Sequence, residues 1–264
     1  NMLKTMLELA KMQFKQYNIY KSNFYLFTIN RIVEIVVYIF VWQAIYNQTG
    51  DAGGYSISQM ITYYILAFSI ISFVTWGINE DMAHSIRNGQ INKELLNPLS
   101  YFQYYFGVNL GELLFATVVG LAIFIICSLF WGVTFPVSIF SFLVFIFILL
   151  LGIPITFFLQ MIVGTVGFYS NSIWGMQILR KAVISIFSGI IAPITLFPQW
   201  FQVIANILPF KDLVYTPINI WLGNITTQEI LFVIIKQIIW GIALYIIAKL
   251  FFNHAVKNIT INGG

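Results

Sequence analysis

Two apolar runs, about Gly107–Trp131 and Val137–Val166, are each longer than the roughly 20 residues a helix needs to cross a bilayer. They constrain everything else. Backbone in hydrocarbon must satisfy its own hydrogen bonds, and only helices and closed barrels do so. Barrel strands alternate in short segments between turns. Here further continuous runs follow at about Phe24–Tyr46, Gln59–Ile78, Ala182–Leu196 and Ile230–Phe252. The chain is 59% hydrophobic and only 8% charged, against about 25% charged in a soluble domain. It cannot cover a water-facing surface. The expected class is an all-α integral membrane protein with six transmembrane helices in a single domain over 1–264. Gly152 and Pro154 interrupt the fourth span, and Pro193 and Pro198 follow a short fifth.

Three segments outside the spans have patterns of their own. In residues 2–21, Leu3, Leu7, Ala10, Phe14 and Tyr17 share one helical face, and Lys4, Glu8, Lys11 and Lys15 share another. That spacing predicts an amphipathic helix in the membrane interface, its lysines toward anionic headgroups. Its scattered charges do not fit a cleavable signal. The segment Glu80–Ser100 holds Glu80, Asp81, Arg87, Lys93 and Glu94 between two apolar runs. Asp81 is placed to cap a helix that Asn88-Gly89 stops. A second short helix, about Asn92–Leu96, ends before Pro98. This elbow leaves Ile91, Leu95 and Leu96 free to enter a groove on a partner. In 197–223, Pro198, Pro209 and Pro217 alternate with Trp200, Phe201, Ile204, Ile207 and Leu208, which predicts a pair of short helices dipping into one leaflet.

Charge placement predicts orientation. Lys4, Lys11, Lys15, Lys21, Arg87, Lys93, Arg180, Lys181, Lys249 and Lys257 fall on one side of the expected spans, and only Lys211 falls on the other. The positive-inside rule then puts both termini and the elbow in the cytoplasm, and the 197–223 hairpin outside.

Reactive chemistry is sparse. There is no G-x-x-x-x-G-K-[ST] phosphate loop. His84 and His254 stand far apart in sequence, and the single Cys127 lies inside an apolar run. Nothing in the charge pattern calls for nucleic acid. A conduit or scaffold fits better than a catalyst. A lipid-modifying membrane enzyme, or a passive channel or scaffold, is the alternative. Intramembrane charges are functional candidates because burying them is costly. They are Arg31 and Glu34, placed to pair on one helical face, Glu112 and Lys236. Gly107-x-x-x-Gly111 permits close helix approach.

Two strings carry a resemblance. "SIRNGQINKELLNPLSYFQYYFGVNLGELL" has an R-x-G step before an "LLNPLS" turn. "GIIAPITLFPQWFQVIANILPFKDLVYTPINIWLG" has a P-x-x-x-x-P-x-W … LPF … P pattern. Together with the layout of spans they resemble the permease subunits of the second class of ABC exporters, over essentially the whole chain. The multidrug or daunorubicin-type branch is the most similar. Asn97 departs from the arginine common before the proline. The resemblance implies two copies of a separate ATPase subunit that bind ATP and magnesium, with no cofactor in this chain. It also implies a second permease, related or identical, in a cell membrane. By the same resemblance, the elbow (Glu80, Asp81, Arg87, Gly89, Lys93, Glu94, Leu95, Leu96, Pro98) couples to the ATPase. The second and fifth spans line the path, with Tyr63, Tyr64, Phe68, Phe73, Trp76, Phe187 and Pro193. Phe197, Pro198, Trp200 and Phe201 close the exit.

Overall fold

The two longest apolar runs each form one helix, and each starts at a serine cap. Ser100 Oγ accepts the Gln103 N–H at 3.3 Å, and Gln103 Oε1 accepts the Ser100 N–H at 3.0 Å. This reciprocal box starts α6 (Tyr101–Trp131) ahead of the expected Gly107. Ser138 Oγ accepts the Ser141 N–H and starts α7 (Ile139–Thr165). The expected interruption at Gly152 and Pro154 does not occur, and α7 runs through both. In hydrocarbon a broken ladder gains no water to satisfy it, so a proline is accommodated within the helix.

The computed structural model describes residues 2–19, 21–49, 53–75 and 77–257, and the fold is all-helical. Asp51, Trp76 and the side chains of Tyr17 and Lys21 lie outside the described part. The other helices are α1 (Met2–Ile19), α2 (Lys21–Thr49), α3 (Ile57–Thr75), α4 (Asn79–Arg87), α5 (Ile91–Leu95), α8 (Trp174–Phe187), α9 (Gln199–Ile207), α10 (Tyr215–Trp221) and α11 (Thr227–Lys257). Among the described residues five helices, α2, α3, α6, α7 and α11, are long and apolar enough to cross a membrane.

The run expected as a fifth span is not among them. Helix α8 is 14 residues long, starts at Trp174 rather than Ala182, and carries Arg180 and Lys181 within it rather than in a loop. It gives way to a turn at Gly189, whose φ is +85°.

At the centre is α3, buried on almost every side. It packs against α6 and α2, and α6 also carries α1. A second group forms around α7, which packs against α11, α10 and α4. One end of the molecule carries α1, α4, α5 and the end of α11, where Phe252 stacks on Tyr101 at 4.3 Å. The opposite end carries α9 and α10.

Helix α1 sits on α6 at the Gly107-x-x-x-Gly111 step. A Cβ at Gly111 would lie 2.4 Å from the Ala10 carbonyl oxygen, and one at Gly107 would lie 3.2 Å from that of Met6. The docked stripe is Met6, Leu9, Ala10 and Gln13; Leu3 and Leu7, expected on the same face as Ala10, stay exposed.

Candidate functional site

The elbow and a polar cavity lie side by side at the α4–α5 end. Helix α4 starts at Asn79, and its N-cap is Ile78 rather than Asp81, which falls in the first turn. The cap comes instead from α7: Gln160 Oε1 accepts the Ile78 N–H at 3.0 Å. Met82 faces Gly164 of α7, and Ala83 faces Gly167 in the 3-10 turn Val166–Phe168 that follows it. A Cβ at Gly164 would be 2.8 Å from Met82 Sδ, and one at Gly167 would be 3.0 Å from Ala83 Cα. Asn88 ends α4 and Gly89 turns the chain at φ +68°.

Helix α5 begins at Ile91, which is buried in the protein's own core and not free for a partner. Tyr105 of α6 donates its hydroxyl to Glu94 at 3.0 Å, and Arg87 Nη1 donates to the Asn171 carbonyl at 3.1 Å. Gln13 reaches Asp81 from α1 at 3.4 Å. Asp81 stays exposed, but the protein close to it and the adjacent Glu80 carboxylate push its pKa up. Leu96 stands 86% exposed beside exposed Leu95 and Pro98, and Lys93 and Arg87 of the same elbow are exposed too. The elbow therefore offers exposed apolar and charged residues together, and is seated on α6 and α7.

The cavity has a volume of about 650 Å³ and is walled by α2, α3, α4, α6 and α8. Its charged lining comprises Arg31, Glu34, Glu80, Asp81, Glu112, Arg180 and Lys181, with Tyr38 and Phe68 adding aromatic surface. Arg31 and Glu34 pair at 2.6 Å, as their spacing predicts. Glu112 is 1% exposed and interacts electrostatically with Arg180, whose Nη1 reaches the Val74 carbonyl at 3.5 Å. That carbonyl is in the last turn of α3, the negative end of the helix dipole. Paired charges and aromatic faces in one chamber suit a molecule with both polar and apolar parts.

A family model described as an ABC-2 family transporter protein matches residues 32–263. The chain belongs to that family. No curated protein matches it. As an ABC-2 transporter chain with membrane-crossing helices it is a multi-pass membrane permease, a transport subunit of a system that works with an ATPase partner.

The permease's remaining candidate residues divide by location. Tyr63 and Tyr64 are fully buried in α3, and their hydroxyls donate to the carbonyls of Gly189 at 2.6 Å and Ile191 at 3.0 Å. Phe68 lines the polar cavity, whereas Phe73 faces an apolar groove on the other side of the α3–α6 wall. Pro193 is buried. Phe187 stacks on Phe201 at 5.1 Å, and Phe197 stacks on Phe201 at 4.4 Å, so these three rings form one cluster. Pro198 begins α9, and Trp200 points outward. Among the described residues no cluster of three His, Cys, Asp or Glu side chains is arranged to hold a metal.

Two charged residues take roles that sequence reasoning missed. Asp212, in a 3-10 turn after α9, is fully buried and pairs with Lys236 of α11 at 2.5 Å. Lys236 also donates to the Asn206 carbonyl at 2.8 Å, Thr216 Oγ1 donates to Asp212 Oδ1 at 2.7 Å, and Gln237 donates to the Asp212 carbonyl at 3.0 Å. Trp240, one turn on, donates to the Ile207 carbonyl. Thus α11 clamps the α9–α10 hairpin. Arg180 is the other. The signal for both was available: an aspartate inside the proline-rich apolar string, and an arginine three residues after Gln177.

Proposed function

We propose that this permease is the membrane subunit of an ATP-driven exporter, with both termini and the α4–α5 elbow in the cytoplasm. Family membership is the observation that carries the reading. The Lys/Arg asymmetry supports the orientation. In this reading α8 and the turn after it complete a sixth crossing, and two permeases, alike or related, meet around the path.

The Leu95–Leu96–Pro98 tip enters a groove on each of two ATPase copies. Closure of the ATPase pair pushes on α4, and the tight Met82–Gly164 and Ala83–Gly167 contacts pass that push to α7. Because α7 packs on α11 and α10, the same movement reaches the hairpin, with the Phe187–Phe197–Phe201 cluster beside the exit. The charged and aromatic cavity supports an amphipathic substrate: a drug, peptide or lipid-like molecule.

The test is co-purification with a candidate ABC ATPase subunit. The double substitution Leu95→Asp, Leu96→Asp, at exposed sites, is expected to abolish the complex while the melting temperature of the isolated permease stays unchanged. A complex that survives the double substitution rules out docking through this tip.

A further inference from the structure

We infer that the apolar groove between α6 and α7 is a binding site for one acyl chain of a bilayer phospholipid. The inference does not depend on what the permease transports. The groove has a volume of about 460 Å³, within the ~300–1,000 Å³ usual for ligand pockets. Its walls are Leu113–Phe124 of α6 and Phe142–Thr156 of α7, its floor is Leu66–Val74 of α3, and Leu213 and Trp221 line it toward the α9–α10 end. These stretches lie inside helices long and apolar enough to cross a membrane.

The groove marks the seam between the two packing groups. Helix α6 packs on α3 and α1, whereas α7 packs on α11, α10 and α4.

The chemistry of the lining selects the occupant. The polar side-chain groups in it are turned back into the protein. Ser69 Oγ donates to the Ile65 carbonyl, Thr117 Oγ1 to that of Leu113, Thr156 Oγ1 to that of Ile153, and Trp221 Nε1 to that of Thr134. These donors are used, so the surface offered is hydrocarbon. A headgroup or a polar substrate gains nothing there. Leu113 to Phe124 spans about 17 Å along the groove. A single acyl chain is thin enough, and Leu121, Ile146 and Leu150 form an exposed rim through which it enters from the bilayer.

The experiment reconstitutes the full chain in nanodiscs of phospholipid bearing a photoactivatable acyl chain. The sites labelled on irradiation are then mapped by mass spectrometry. Label on 113–124 and 142–156 is expected to exceed that on the exposed faces of α2 (Ile29, Val33) and α11 (Ile239, Ile242) several-fold, since a chain lying in the groove makes dispersion contacts with three helices rather than one. Filling the groove with Ile146→Trp, or from the opposite wall with Leu121→Trp, is expected to return groove label to the level of α2 and α11. Uniform label, or groove label unchanged in a folded filled variant, overturns the site. So does chain-to-chain cross-linking through Ile146→Cys in a Cys127→Ala background, which would put a second copy in the groove.

Discussion

The two ends of this permease are held by different kinds of contact. At the α9–α10 end the contacts that tie the 3-10 turn and α10 to the rest of the fold are buried: Asp212 with Lys236, Gln237 with the Asp212 backbone, and Tyr55 with Asn219 at 2.7 Å. At the α4–α5 end the side-chain bonds are mostly exposed, as between Gln13 and Asp81 or Arg87 and Asn171. Stability there comes from close helix approach over glycines. A buried ion pair tolerates no partial opening, because each charge is stranded without the other. Glycine-spaced contacts slide and re-form at little cost. Under the proposed mechanism the first end stays shut while the elbow at the second is gripped and moved.

The sharpest way to break this comparison is at the buried pair. Lys236→Met strands the Asp212 carboxylate and is expected to cost about 3–5 kcal/mol, read as a loss of melting temperature in detergent. Lys236→Met with Asp212→Leu is expected to recover most of it; if the single substitution costs nothing, the contrast between the ends disappears. A smaller effect is expected from Gly167→Leu, which forces α4 away from the 3-10 turn at the end of α7. Overpacking of this kind costs about 1–3 kcal/mol, and under the proposed mechanism ATP-driven transport falls further than ATPase binding does. Equal losses of binding and transport would count against a route through α7. The smallest effect belongs to Gln13→Ala at the exposed contact, expected within about 0.5 kcal/mol in the same melting assay. A loss as large as that of Lys236→Met would show that the α4–α5 end is locked too.

Much of this fold was legible in the sequence because it rests on local rules. The α4–α5 elbow followed from Asn88-Gly89 and Pro98, and the Arg31–Glu34 pair followed from helical spacing. Elements whose pattern runs against the usual rule were not legible. Helix α8 is turned inside out: Gln177, Arg180 and Ile184 are buried, while Trp174, Met176, Ile178 and Leu179 are exposed. Read as a water-facing segment it looks mixed, and Arg180 counts as a loop cation. Asp212 was missed because its partner Lys236 lies on another helix, and spacing reports only neighbours on the same one. The resemblance put Tyr63 and Tyr64 along the path; the structure adds that both hydroxyls are bonded to the turn after α8, a link between distant segments that sequence spacing does not report. Pro154 misled as a breaker, because a membrane changes the cost of breaking a helix.

The inside-out character of α8 also bears on how the permease is made. A short helix that carries Arg180 on its packing face has no low-energy resting place alone in lipid. It becomes tolerable once α6 has presented Glu112 and α3 has presented the Val74 carbonyl. If α8 inserts as the proposed sixth crossing requires, the first half of the chain, emerging earlier from the ribosome, is the template on which it does so. On that reading a defect in α6 at Glu112 would first show as a failure of biogenesis, with the α8 region left outside the bilayer, before any question of transport arises.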